Sequence, residues 1–162
     1  MGNAIAIPES SATVIHDHDA SAAIHQLADA WTTQSNGELR ISCVEGSVLD
    51  ALGALNVQEA RLSLLTSGEA LAWLTWAGAS GGAHGRRRGN ALGRDAAWWT
   101  IAALTEKTFH WPLNNIDLAA SVNSLQWFWW DVNEPTTGWQ LQLCIHHADR
   151  NRSWAISVHD WK

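Results

Sequence analysis

The sequence has 162 residues, of which 46% are hydrophobic and 16% are charged. This length suits one domain with its own core, and this composition excludes an intrinsically disordered chain. The formal net charge of −6 makes nucleic acid an unfavourable partner for the chain as a whole, because phosphate backbones repel an acidic surface. No apolar run approaches the ~18 residues of a membrane-spanning helix, so no membrane association is predicted.

The first half of the domain is predicted to alternate helices and short strands. Asp19 is placed to cap a first helix, and an apolar stripe over residues 24–31 supports that helix. A strand is predicted at 39–43 from strict apolar–polar alternation. A short helix then opens at Ser47, with Asp50 placed for a capping-box contact. A second strand is predicted at 61–65.

The second half is predicted to be two long helices followed by a β-meander. Residues 66–69 form a capping box before a strong helix, and a second helical run is predicted from about residue 95 to 107. Strands at 125–130, 139–146 and 154–159 alternate in polarity and are separated by turns. These patterns predict an α+β fold in which helices pack on one face of a mostly antiparallel sheet, with the last three strands contiguous.

The domain organisation is expected to be simple, because no internal repeat or low-complexity linker is present. Residues 1–18 are predicted to form a loosely ordered arm and residues 19–162 a single α+β domain. The arm lacks a basic stretch followed by an apolar run, so no signal peptide is predicted and a cytoplasmic location is expected. Cys43 and Cys144 lie far apart without metal-ligand spacing, which favours two reduced thiols at strand positions.

Tryptophan is the most unusual feature of the composition, with 12 Trp against no Tyr and 2 Phe. Most of these tryptophans fall at alternating or helical core positions, which predicts that they fill the core. Phe128 and Trp130 are exceptions, because they share the strand face opposite Trp127 and Trp129. They are expected either to pack under a helix or to form an exposed patch for a partner.

The segment from Gly78 to Arg94 has an unusual chemistry. It carries half of the eight arginines, and no acidic residue lies between Glu69 and Asp95. Its glycines at every fourth position, from Gly81 onwards, fit either a Gly-rich loop between two helices or one kinked helix with a glycine face. Several glycines at about 1 kcal/mol each would weaken an exposed helix, so the loop is favoured.

This segment is the leading candidate for a binding site. Exposed backbone N–H groups and the next helix N-terminus favour an anion, which Arg86, Arg87, Arg88 and Arg94 would clamp. The alternative to a binding site is a mobile, solvated connector between two helices. His84 is the one candidate acid–base group, because it is the histidine that lies beside the arginines. The segment matches neither a Walker loop nor a dinucleotide fingerprint, so no cofactor is implied.

Metal binding is only weakly indicated. His16 and His18 would share a face of an extended arm, but two ligands on such an arm need a third from elsewhere. His146 and His159 are expected on one polar sheet face, several residues apart along the ladder. Exposed strand histidines explain this second pair equally well, so no metal site is predicted.

The chain resembles an uncharacterised family of actinobacterial proteins, a domain of unknown function, over roughly residues 70–160. The likeness rests on residues 81–89, Gly93-Arg94, Ala97-Trp98-Trp99, and the final hairpin with Gly138-Trp139 and Trp154-Ala155-Ile156. The resemblance implies an intracellular bacterial protein and brings no activity or site residues.

Three functional hypotheses follow. The first is a non-catalytic binding protein whose segment 78–94 meets an anionic group on a protein partner or a small ligand. The second is an enzyme acting on a phosphorylated or carboxylate substrate, with the four arginines as binders and His84 as the acid–base residue. The third is an obligate subunit of an oligomer, which requires Phe128 and Trp130 to be exposed in the monomer.

Overall fold

The computed structural model describes residues 2–161 and contains one antiparallel sheet flanked by helices. The strands are β1 (Ile5–Ala6), β2 (Thr13–Val14), β3 (Gly37–Glu45), β4 (Glu59–Leu65), β5 (Leu125–Asp131), β6 (Trp139–His147) and β7 (Arg152–Asp160). The helices are α1 (His18–Leu27), α2 (Asp29–Thr33), α3 (Val48–Ala54), α4 (Ser67–Ala79), α5 (Asn90–Leu104) and α6 (Asn115–Asn123). Within residues 2–161, no helix is both long and apolar enough to cross a bilayer.

The sheet has the strand order β1-β4-β5-β6-β7-β3-β2, and every neighbouring pair is antiparallel. The predicted meander of β5, β6 and β7 is therefore confirmed, and so is the α+β fold class. In β6, Leu143 and Ile145 face one core, whereas Cys144 between them faces the other. This two-residue period is what the alternating sequence indicated.

The larger core lies between one face of the sheet and helices α1, α4, α5 and α6. Trp31, which follows α1 in the short helix α2, is fully buried there and donates from Nε1 to the carbonyl of Ala77 in α4 (3.0 Å). Trp127 of β5 is also buried and donates to the carbonyl of Val122 in α6 (3.1 Å). Both indoles thus bury a large apolar surface while their N–H groups stay satisfied.

The opposite face of the sheet carries a smaller core beneath α3 and part of the N-terminal segment. Trp130 is 2% exposed and donates from Nε1 to the carbonyl of Ile156 (3.1 Å). Phe128 is partly buried against the same core, which also contains Leu52 of α3 and Ile7. Of the two alternatives for Phe128 and Trp130, the structure therefore shows packing under a helix.

Local capping signals account for several helix starts. The capping boxes at Ser47–Asp50 and Thr66–Glu69 are both formed, as predicted. The prediction that Asp19 caps α1 is wrong, because α1 begins at His18 and the side chain of Asp17 accepts from the Ala20 backbone N–H (3.1 Å). Helix α6 was missed, although Asn114 caps it in a common way by accepting from Asp117 N–H (2.8 Å).

The N-terminal segment touches both edges of the sheet. Strand β1 pairs with β4, and β2 pairs with β3. The loose ordering predicted for residues 1–18 stays a prediction, as does the single domain over 19–162. Met1 and Lys162 lie outside the described residues.

Candidate functional site

The Gly/Arg segment forms a loop over residues 80–89, between α4 and α5. Helix α5 begins at Asn90, so the predicted start near Asp95 is wrong and Arg94 lies within the helix. The earlier start carries no side-chain signal, because the N-cap is Gly89, which has φ +88° and no capping side chain. Of the six glycines in the segment, Gly78 lies in α4 and Gly93 in α5, and the other four lie in the loop.

The loop is anchored to the rest of the fold by backbone N–H groups along its length. The bonds run from Ala83 to Asp160 Oδ2 (2.5 Å), His84 to Ser35 Oγ (3.0 Å), Arg86 to Gln34 Oε1 (3.1 Å) and Arg88 to the Ala79 carbonyl (2.8 Å). Asp160 is fully buried at the end of β7, so one anchor reaches into the core. These contacts disfavour a freely solvated connector.

Two glycine contacts explain why the loop and α5 can approach their neighbours so closely. A Cβ at Gly85 would collide with the Gly81 carbonyl and lie 2.8 Å from the Ala30 carbonyl. A Cβ at Gly93 would collide with the Thr75 carbonyl and lie 2.7 Å from the backbone N of Ala79. The four-residue glycine spacing therefore reflects separate backbone contacts and not one continuous glycine face on a helix.

A cleft of about 800 Å³ lies beside this loop, between α4, the start of α5 and the start of β6. Its lining includes Arg87, Asn90, Arg94, Trp76, Trp98 and Trp139, and we call it the Arg–Trp cleft. Ser80 and Thr75 add hydroxyl groups, and no carboxylate is among the described residues that line it. The cleft thus combines two positive charges with three indole rings.

The four candidate arginines are split between the cleft and other positions. Arg87 and Arg94 are exposed and line the cleft. Arg88 is half-buried and donates from Nη1 to the carbonyl of Gln26 (3.2 Å), near the C-terminal end of α1. Arg86 is exposed and lies outside the cleft lining. The structure therefore brings together two of the four predicted anion binders.

These four arginines differ from most others in their ionic contacts. Three arginines elsewhere in the chain form ion pairs, namely Arg61 with Asp131, Arg150 with Glu106 and Arg152 with Asp17. By contrast, the guanidinium groups of Arg86, Arg87, Arg88 and Arg94 lie beyond 4.0 Å of every carboxylate in residues 2–161. The charges on Arg87 and Arg94 are therefore available to a ligand in the cleft.

The N-terminus of α5 adds to the positive character of the cleft. Gly89 and Asn90 line the cleft, and α5 has neither a side-chain cap nor an acidic residue in its first turn. The first backbone N–H groups of a helix lack intrahelical partners and carry a partial positive charge. This helix end therefore reinforces the field of Arg87 and Arg94.

The histidine candidates do not join this site. His84 is exposed and lies outside the cleft lining, and its backbone N–H is used to anchor the loop to Ser35. His16 and His18 instead border a second cavity of about 310 Å³, which residues of β3 also line. Among residues 2–161, no three His, Cys, Asp or Glu side chains are grouped so that they could hold a metal ion.

The histidines of the last hairpin lie apart, as expected. His146 is opposite Ser153 and His159 is opposite Gln140, so the two histidines are six positions apart along β6. His146 Nδ1 is 2.7 Å from Ser153 Oγ, and His159 Nε2 is 2.7 Å from the Thr137 carbonyl. Each imidazole is thus engaged in its own local hydrogen bond.

Several cleft residues were not identified as site residues from the sequence. Trp76, Trp98 and Trp139 fall among the tryptophans predicted to fill the core, and all three do pack against it. Each is only half-buried, however, and also lines the cleft. Asn90 was treated as part of the glycine segment without a role. The i, i+4 relation of Arg94 and Trp98 on α5 could have signalled a shared helix face, had the helix start been placed correctly.

Comparison with known proteins places the chain in a family without an assigned activity. No curated protein and no solved structure matches it. The sequence of residues 2–161 does match a family of unknown function (DUF6183). Because the match covers nearly the whole chain, the protein belongs to that family.

Proposed function

We propose that this protein is a non-catalytic binding protein that holds a small anionic ligand in the Arg–Trp cleft. The observation that carries the proposal is the position of Arg87 and Arg94, which line one cleft and are not paired with any carboxylate of residues 2–161. A carboxylate or phosphate would accept forked hydrogen bonds from one or both guanidinium groups.

The shape of the site supports a small ligand over a protein partner. A concave space of about 800 Å³ lies within the range of roughly 300–1,000 Å³ found for small-molecule pockets. Its lining is largely apolar with a few polar groups, which is the usual composition of a site that holds and orients a small molecule. Burial of the ligand's apolar part would exclude water and strengthen the arginine contacts.

The two other hypotheses have less support. The enzymatic alternative required arginines and a histidine in one cleft, whereas His84 lies outside the lining. The oligomer alternative required exposed Phe128 and Trp130, whereas Trp130 is 2% exposed. We therefore limit the proposal to ligand binding.

A binding experiment tests the proposal through the two arginines. Inorganic phosphate and small carboxylates and phosphate esters are titrated at low ionic strength, with thermal unfolding as the first readout. A ligand at a hundredfold excess over its Kd stabilises by about 2.7 kcal/mol, which raises Tm by roughly 5–10 °C in a chain of this size. Calorimetry on the responding compounds then gives affinities.

The matched control is Arg86, which lies on the same loop but outside the cleft. We expect the double variant Arg87→Gln/Arg94→Gln to lose at least tenfold in affinity, and Arg86→Gln to bind as the wild type does. The proposal is wrong if no anion raises Tm, or if the double variant and the Arg86→Gln variant bind equally well.

We also propose a cytoplasmic location. Cys43 and Cys144 are free thiols buried on opposite faces of the sheet, which suits a reducing compartment. Fractionation of cells that express the protein at natural levels tests this assignment, and recovery outside the cytoplasm would contradict it.

A further inference from the structure

We infer that the ligand of the Arg–Trp cleft is an aromatic anion, that is, a planar ring system that carries a carboxylate or phosphate group. This inference rests on the proposed function and specifies the ligand class. It is carried by the arrangement of the three indole rings in the cleft and by the presence of Arg87 and Arg94 in the same lining.

The first part of the cleft wall is a stacked pair of rings. Trp76 of α4 and Trp139 of β6 lie nearly parallel, with ring centroids 5.6 Å apart and an interplanar angle of 12°. A third ring between them would need about 7 Å, twice the ~3.5 Å contact distance between carbon atoms. A ligand ring therefore cannot be inserted into this pair and has to lie against its cleft side.

Further indole rings pack against Trp76 and hold the pair in place. The ring of Trp31, which is fully buried, meets Trp76 edge-on at 5.2 Å, and Trp73 meets it edge-on at 5.6 Å. Trp73 in turn packs on Trp129 with centroids 4.5 Å apart. Trp76 is thus fixed by several neighbours, so this wall is preorganised and costs little entropy when a ligand binds.

Trp98 packs against the core but has no aromatic ring partner within residues 2–161. It lies one helical turn after Arg94 on α5 and is half-buried in the cleft. The other half-buried tryptophans of α4 and α5 do form ring pairs, Trp73 with Trp76 at 5.6 Å and Trp99 with Trp111 at 5.2 Å. A ligand ring would supply the missing aromatic contact.

The order of residues along α5 sets the expected orientation of the ligand. Arg94 lies at the N-terminal side, next to the uncapped helix end, and Trp98 lies about 6 Å further along the axis, four residues at ~1.5 Å each. A single ring joined directly to a carboxylate or phosphate spans a comparable length. One molecule can therefore place its charge at Arg87 and Arg94 and its ring at Trp98.

The inference predicts a preference for flat rings over saturated rings of the same carbon skeleton. Both kinds bury a similar apolar area, but only the flat ring gains the aromatic contact, which is worth about two- to twelvefold in affinity per ring pair. The test compares naphthalene-2-carboxylate with decahydronaphthalene-2-carboxylate by calorimetry on the full chain. 2-Naphthyl phosphate and inorganic phosphate are titrated in parallel. A preference between carboxylate and phosphate is then measured separately from the preference for the flat ring.

The position of the ring is tested with a pair of adjacent tryptophans. Trp98→Leu removes the ring face from the cleft, whereas Trp99→Leu removes an equivalent half-buried indole that packs on Trp111 outside the cleft. We expect Trp98→Leu to abolish the preference for the aromatic acid and Trp99→Leu to retain it. In ¹⁵N-indole NMR spectra of the wild type, the Trp98 and Trp139 signals should shift on binding, whereas the Trp99 signal should not.

The outcomes separate the two proposals. If the aromatic and saturated acids bind equally, and both lose affinity in Arg87→Gln/Arg94→Gln, the inference is wrong and the proposed function stands. If neither acid nor any phosphate binds, or if the arginine variant binds as the wild type does, both are wrong. If Trp98→Leu does not fold, the ligand pair and the indole shifts on the wild type still decide the inference.

Discussion

Gly93 is predicted to be the point at which α4 and α5 are most sensitive to an added methyl group. A Cβ at this position would collide with the Thr75 carbonyl and approach both the backbone N and the Cβ of Ala79 at 2.7 Å. The clashing atoms are mainly backbone atoms of α4, so they can yield only if the two helices separate. Gly93→Ala should therefore destabilise the fold and widen the Arg–Trp cleft, which these helices border.

The size of the effect follows from two opposing contributions. Alanine is favoured over glycine within a helix by about 1 kcal/mol. Overpacking a tight contact costs typically 1–3 kcal/mol, and a clash with backbone belongs at the upper end, about 3 kcal/mol. The free energy of unfolding should thus fall by about 2 kcal/mol, which lowers Tm by roughly 4–8 °C.

Gly68 provides the matched control, because it also lies in a helix but in an open place. It is exposed in the first turn of α4, and an added Cβ would meet only Thr66 Oγ1 at 3.9 Å. Gly68→Ala should raise the free energy of unfolding by about 0.5–1 kcal/mol. Urea unfolding followed by tryptophan fluorescence measures both variants. Equal effects of the two substitutions, or a Gly93→Ala variant as stable as the wild type, would refute the close contact.

Two further predictions concern titratable groups. The guanidinium of Arg61, 2.8 Å from Asp131, holds the pKa of that carboxyl below its ordinary value of about 3.9, so the stabilisation is present at neutral pH and is lost as the pH falls through that range. Urea midpoints at pH 7 and pH 3 should therefore differ less in Asp131→Asn than in the wild type, and an unchanged difference would contradict the pairing. Burial raises the pKa of Cys43 to about 11 and also raises that of Cys144, so neither thiol should react with an aromatic disulfide reagent at pH 8 until the protein is unfolded. Rapid labelling of the native protein would contradict their burial.

Local sequence signals predicted the elements whose determinants are themselves local. The capping boxes beginning at Ser47 and Thr66 fixed the starts of α3 and α4, because the cap and its partner lie three residues apart. The meander was predictable because each strand buries one face and the two-residue period is visible in the sequence. α6 was missed even though Asn114 gives a usable N-cap signal, since its nine residues show only a weak apolar stripe.

The loop could not be placed from the sequence, because its anchors are distant. The four-residue glycine spacing fits either a helix or a loop, and the cost of glycine in a helix favoured a loop without placing it against its neighbours. What places the loop is the contact of Gly85 with Ala30 and the hydrogen bond from Ala83 to Asp160, which joins residues 77 positions apart. The start of α5 at Asn90 was hidden for a related reason, since its N-cap has no side chain to act as a signal.

The candidate site was predictable in its charge but not in its shape. The acid-free arginine segment pointed to an anion, but nothing local distinguishes Arg87, which lines the cleft, from Arg86, which does not. The indole rings of Trp98 and Trp139 lie in different elements, and only the tertiary fold brings them to the same cleft. Composition thus indicated an anion-binding site, whereas long-range packing determined which residues line it.

A crystal structure of the protein with naphthalene-2-carboxylate tests the central proposal most directly. We predict that the carboxylate accepts hydrogen bonds from Arg87 and Arg94 beside the N-terminus of α5, with the ring against Trp98. Density for the ligand at Arg86 or Arg88 instead, or at any place away from the Arg–Trp cleft, would contradict the assignment of this cleft as the binding site.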